Sequence, residues 1–209
     1  MLRKILFTLF ISFAFYYVFW FDTIQDSFKM PFKLIPMLLL IVLALQSPST
    51  RYKWLIVTGL AFCMIGDYTL QWFILGLSSF LIGHVFYIIA FRSSVSPAPK
   101  LAKILLIMYG LSMAIWLAGT LLTRGEIIVA IAVCAYIIII SMMGWTAFHT
   151  KESFAIIGAL LFITSDSILA INRFITAVPF EHEMIMLTYY TAQLFLMLSI
   201  RKIQQKVIQ

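Results

Sequence analysis

The sequence predicts an all-α fold, a polytopic bundle of eight transmembrane helices forming one membrane domain over residues 1–209. Three observations point there. The composition is 63% hydrophobic and only 11% charged, too little charge to cover a soluble core of this size. Mean hydropathy is +1.05, and apolar runs able to cross a hydrocarbon layer of roughly 30 Å recur from end to end. The basic residues behind a net charge of +7 sit in short loops between those runs. They therefore act as topology signals, and no nucleic-acid surface is expected.

The first span, near 5–21, follows Arg3 and Lys4 and has no small-residue cleavage site after it. It is expected to be a retained anchor rather than a signal peptide. The polar stretch Asp22 to Met30 leads to a span near 32–46, and Ser47-Pro48-Ser49-Thr50-Arg51 forms a turn before 54–72. Only Trp72 to Gly76 can turn the chain into the next span, near 74–92. Ser93 to Lys100, with two prolines, leads to 101–122, followed by 127–147, 153–171 and 183–200.

An even number of spans puts both termini on one side. That side collects Arg51, Lys53, Arg92, Lys100, Lys103 and Lys151, together with Arg3, Lys4, Arg201, Lys202 and Lys206 of the tails. The opposite side holds only Lys29, Arg124 and Arg173, with Lys33 at the foot of span two. Both termini are therefore expected in the cytoplasm, with the chain in the cell membrane, the inner one in a bacterium. Cys63 and Cys134 lie within spans, without a CxxC partner or a histidine at ligand spacing. They are expected to pack, with neither a disulfide nor a metal site.

An internal echo accompanies this plan. Span three places Gly59, Asp67 and Leu70 at the same spacing as Gly158, Asp166 and Leu169 in span seven. The two spans run the same way and stand four apart, as a 4+4 duplication would place them.

Ionisable side chains at membrane depth are expensive unless paired, hydrated or neutralised, so each one is a functional candidate. Here they are Asp67, Asp166 and His84, with Lys33 near the outer end of its span. At 1.5 Å per residue, Asp67 lies roughly 21 Å past Lys53, Asp166 roughly 20 Å past Ser153, and His84 roughly 15 Å past Ile74. All three converge on the middle to outer half of the bilayer. Gly59, Cys63, Asp67 and Gln71 share a stripe on span three, His84 and Tyr87 face one way on span four, and Tyr189 and Gln193 do so on span eight. Together they are expected to line one polar cavity.

Two neighbouring buried carboxylates cannot both ionise cheaply, so one is expected to keep its proton beside a charged partner. That arrangement supplies a general acid next to a base. The plainer alternatives are interhelical bonds for the aspartates and His84, snorkelling for Lys33, and packing for Tyr87, Tyr189 and Gln193. His149 and His182 are assigned to loops, and Asp22 and Asp26 to solvated loop positions.

Five short motifs, in order, resemble those of the lysoplasmalogenase (YhhN-like) family of eight-helix membrane proteins. They are Lys33-Leu34-Ile35-Pro36-Met37, Gly66-Asp67-Tyr68-Thr69-Leu70 and the run from His84 through Tyr87 to Ala90-Phe91. In the second half they are Phe162-Ile163-Thr164-Ser165-Asp166 and Tyr189-Tyr190-Thr191-Ala192-Gln193. The resemblance implies a hydrolase that cleaves the vinyl ether of a lysoplasmalogen, releasing a fatty aldehyde and a glycerophosphoethanolamine or glycerophosphocholine. It implies Asp67 and Asp166 as the acid–base pair, with His84 and Tyr87 positioning water or the ether oxygen. Lys33, Tyr189, Tyr190 and Gln193 are the implied substrate-binding residues, Lys33 as a point charge for the phosphate. No cofactor or metal is expected, and the partners are the lysophospholipid and membrane lipids.

Two other classes use intramembrane carboxylates. An aspartyl intramembrane protease would carry Gly-x-Gly-Asp, whereas Met64-Ile65-Gly66-Asp67 lacks the first glycine. A proton-coupled transporter or lipid carrier stays open as the alternative.

Overall fold

Long apolar segments separated by short polar breaks leave the backbone one way to satisfy its hydrogen bonds in lipid, which is helix. The computed structural model describes residues 1–93 and 96–208, the side chains of 206–208 excepted. Two expectations fall partly outside the described residues: positions 94 and 95 of the break over Ser93 to Lys100, and the Lys206 side chain. Eight α-helices follow in order: α1 (Leu2–Phe19), α2 (Asp26–Leu45), α3 (Arg51–Thr69), α4 (Phe73–Phe91), α5 (Lys100–Thr123), α6 (Ile127–Ala147), α7 (Ser153–Phe174) and α8 (Glu181–Ile208). Short 3-10 turns cover Phe21–Thr23 and Phe148–Thr150, and no strand occurs among the described residues.

Seven of the eight are long and apolar enough to span a membrane. The exception is α3, whose apolar stretch is cut short by Lys53 in its first turn and Asp67 in its last. It is nonetheless wrapped by α2, α4 and α8. The outer surface is apolar, with Ile115 and Ile128 more than 70% exposed. Such a surface is stable only against lipid, and the protein is an integral membrane protein.

Local chemistry places the ends. Thr50 caps α3 by accepting from the Lys53 amide at 3.1 Å, and Glu152 caps α7 by accepting from the Ala155 amide at 2.8 Å. The Lys53 ammonium bends back to the carbonyls of Leu45 and Ser47, each at 2.8 Å, satisfying orphan acceptors at the end of α2. The helix α2 starts inside the expected polar break because Asp26 and Lys29 pair at 2.8 Å across its first turn. Asp26 is thus a helix-end charge and not a loop residue.

Neighbours in sequence pack together, most closely α3 on α4 and α7 on α8, except that α4 packs on α6 rather than on α5, and α8 also returns to α1, α2 and α3. The Gly-to-Asp echo has a counterpart in this packing. A Cβ on Gly59 would overlap the Tyr87 ring on α4, and one on Gly158 would stand 3.0 Å from the Ala192 carbonyl on α8. In each half, then, the glycine of the third helix lets the fourth approach closely.

A side chain at position 59 must displace the fully buried Tyr87, whereas a Cβ on Gly119 meets nothing within 4 Å. Gly59→Val is expected to destabilise the bundle by about 1–3 kcal/mol, seen as a lower Tm in detergent, while Gly119→Ala leaves Tm unchanged or slightly raised. Equal behaviour of the two would contradict this packing.

Candidate active site

The aspartates reach one place from different helices. Asp67 ends α3 and is 3% exposed, whereas Asp166 lies well inside α7 and is half-buried. Both line a cavity of about 160 Å³, together with Tyr17, Lys33, Glu181, His182 and Tyr189. The α3 terminus falls at this level because the Gly66 position has no side chain: a Cβ there would lie 2.8 Å from Phe80 of α4.

The two carboxylates have unequal partners. The Lys33 ammonium on α2 stands 3.2 Å from Asp67 Oδ1 and reaches the Asp67 carbonyl at 3.5 Å. The Tyr189 hydroxyl donates to Asp67 Oδ2 at 2.6 Å. Asp166 receives a short hydrogen bond from the Tyr136 hydroxyl on α6, and among the described residues it has no cation beside it. In each half the second helix therefore supplies a donor to the aspartate of the third, a cation in the first half and a neutral phenol in the second. The first carboxylate thus has a cation at contact distance, and the second has a neutral donor.

On its other side Asp166 faces a narrower groove of about 50 Å³, bounded by Tyr109, Tyr136, Ile140, Arg173 and Phe174 among others. Leu70, Phe80, Asp166 and Leu169 border both spaces. Asp166 thus stands in the partition between a polar cavity and a mostly apolar groove.

Of the residues picked from sequence, the cavity gathers Asp67, Asp166, Lys33 and Tyr189, and leaves His84, Tyr87, Tyr190 and Gln193 outside its lining. The Tyr190 hydroxyl donates to the Lys33 carbonyl at 2.8 Å, so it braces the turn of α2 that carries the ammonium. The Tyr87 hydroxyl donates to Gln193 Oε1 at 2.8 Å. The fully buried His84 packs edge-on to Phe162 at 4.6 Å and to Tyr136 at 5.3 Å between ring centroids. Phe80, Phe162 and Tyr189, mutually edge-to-face, separate this layer from the carboxylates. Lys33 is committed to Asp67 rather than standing free for a phosphate.

Residues 28–200 match the YhhN family. The chain belongs to the YhhN family. Its similar relatives include lysoplasmalogenase TMEM86B of Rattus norvegicus, 33% identical over 189 residues, covering 88% of this chain and 78% of that protein. The Homo sapiens TMEM86B is likewise 33% identical, over 88% of this chain and 80% of its own length. Lysoplasmalogenase TMEM86A of Homo sapiens is 33% identical over 69% of this chain and 64% of its own. No solved structure matches this YhhN chain.

Sequence reasoning missed Tyr136 and His182. Tyr136 is a phenol in an apolar span, and no spacing rule marks it. His182 had been assigned to a loop, but it stands in the first turn of α8. There it stacks on Phe21 at 3.9 Å between centroids and donates from Nε2 to the Tyr17 carbonyl at 3.1 Å. His149 is likewise not in a loop but in a 3-10 turn, bonded through Nδ1 to the Ser96 carbonyl at 2.6 Å.

Removing the cation leaves a buried carboxylate alone. Lys33→Met is expected to lower stability by about 3 kcal/mol, and Lys33→Met with Asp67→Asn to recover most of that loss. Equilibrium unfolding in mixed micelles measures both; additive losses in the double variant would mean that the pair is not coupled.

Proposed function

We propose that this YhhN-family protein is a lysoplasmalogenase, an ether-bond hydrolase that cleaves the vinyl ether of a lysoplasmalogen within the membrane. The observation that carries the chemistry is the pair of aspartates on one cavity, one ion-paired and the other held only by a phenol. The names and coverage of the relatives support the reaction class.

Asp166 is the acid. Its proton passes to the vinyl carbon distal to the ether oxygen, and the resulting oxocarbenium ion sits against the carboxylate left behind. Water adds to the carbon bonded to oxygen and yields its proton to a carboxylate. The hemiacetal then collapses to a fatty aldehyde and the glycerophospho product. Asp67, paired with Lys33, supplies negative potential for the cation and orients the water. Tyr136 and Tyr189 hold the carboxylates in place, and His84 steadies Tyr136 through ring packing. Tyr87, Tyr190 and Gln193 serve at one remove, by fixing α4, α2 and α8.

The substrate is a lysophospholipid that enters from lipid, with one membrane domain over 1–209 surrounding the site. Both termini face the cytoplasm across the cell membrane, on the strength of the basic residues gathered on that side.

The test is aldehyde release from a lysoplasmalogen by purified protein, with an ester-linked lysolipid as control. Asp166→Asn and Asp67→Asn are each expected to lose about 10²–10⁴ in kcat while keeping a cooperative melt. Unchanged rates in both variants would remove the carboxylate mechanism.

A further inference from the structure

The hydrolase reading leaves the substrate's phosphate without a partner, since Lys33 is paired with Asp67. An exposed cation lies at the other end of the groove that Asp166 borders. Arg173 was expected to be a loop charge, but it occupies the last turn of α7 and lines the same groove as Asp166. It stands seven positions after Asp166, so the two side chains share a face of the helix, separated by about 10 Å of rise. That separation suits a glycerol phosphate whose ether oxygen lies at Asp166 and whose phosphate is met by the long arginine side chain.

The guanidinium is oriented but has no counter-ion. It lies 4.4 Å from the Phe73 ring centroid and 5.9 Å from that of Phe174, and these two rings meet edge-on at 5.3 Å. Among the described residues, no carboxylate pairs with it. Aromatic flanks limit the rotamers of an arginine and reduce its hydration without neutralising it, which leaves its donors available to a phosphate. Arg173, Phe73 and Phe174 also border a second hollow of about 380 Å³ that carries Glu126, and among the described residues Arg173 and Glu126 form no ion pair. A cation and an anion facing one hollow fit a zwitterionic headgroup, with phosphate toward Arg173 and ammonium toward Glu126.

We infer that Arg173, aided by Glu126, is the headgroup-recognition site of this enzyme, selecting a phosphate-bearing, zwitterionic alkenyl lipid over a neutral one. The inference rests on the hydrolase reading. Arg173 is a substrate-positioning residue under this assignment, and the groove between it and Asp166 holds the glycerol.

The experiment compares kcat/KM for alkenyl glycerophosphoethanolamine with that for alkenylglycerol, which lacks the phosphate. In Arg173→Gln the preference for the phosphate-bearing lipid should fall roughly tenfold to a hundredfold, mainly through KM, with partial recovery in Arg173→Lys. In Glu126→Gln the preference for the ethanolamine lipid over alkenyl glycerophosphate should shrink. A purely helix-capping or snorkelling arginine would depress both substrates alike, and an unchanged preference in Arg173→Gln would overturn the assignment while leaving the hydrolase intact. If the wild-type protein cleaved neither lipid, the hydrolase reading would fall first and the headgroup site with it.

Discussion

The ion pair between Lys33 and Asp67 is the constraint around which the site is arranged. A lone carboxylate at the end of an apolar helix in lipid is costly, as is a lone ammonium on its neighbour. Bringing α2 and α3 together removes both penalties at once, and Tyr189 and Tyr190 of α8 then bond to the two partners. Three helices are thereby joined by polar contacts in a bundle where apolar contact alone gives little preference for protein over lipid. The same pairing places a cation at one carboxylate of the cavity and none at the other among the described residues.

The two halves of the chain use one plan with different chemistry. A glycine on α3 or α7 lets the following helix close in, and an aspartate eight residues later projects into the bundle. A residue on α2 or α6 then meets that aspartate. Lysine in the first half and tyrosine in the second give two identical side chains different partners. Like-charged groups confined to one cavity need such a difference if one is to hold a proton while the other does not.

What was legible in the sequence follows from the same physics. Asp67 and Asp166 stand out because lipid-crossing segments tolerate few ionisable groups, and their spacing from Gly59 and Gly158 marks equivalent positions. Helix limits were legible from hydropathy to within a few residues, except where the Asp26 and Lys29 pair extended α2 into a polar break and where α8 runs on through its polar tail to Ile208. Periodicity assigned His84 and Tyr87 to one face, but a face says nothing of which neighbour it meets, and the Phe80, Phe162 and Tyr189 rings stand between that layer and the cavity. Tyr136 was not legible as a partner of Asp166. That contact is made across helices far apart in sequence, and in the sequence alone Tyr136 is an ordinary aromatic.

The central claim is that a carboxylic acid in this cavity delivers its proton to carbon. The most direct measurement follows the reaction of a lysoplasmalogen in deuterated water, with mass analysis of the aldehyde and comparison of rates with ordinary water. The account predicts one deuterium on the carbon next to the aldehyde group and a normal solvent isotope effect on kcat, because proton transfer to carbon is the difficult step. An unchanged kcat in deuterated water would contradict it, because rate-limiting proton transfer from a carboxylic acid to carbon must slow when a deuteron is transferred.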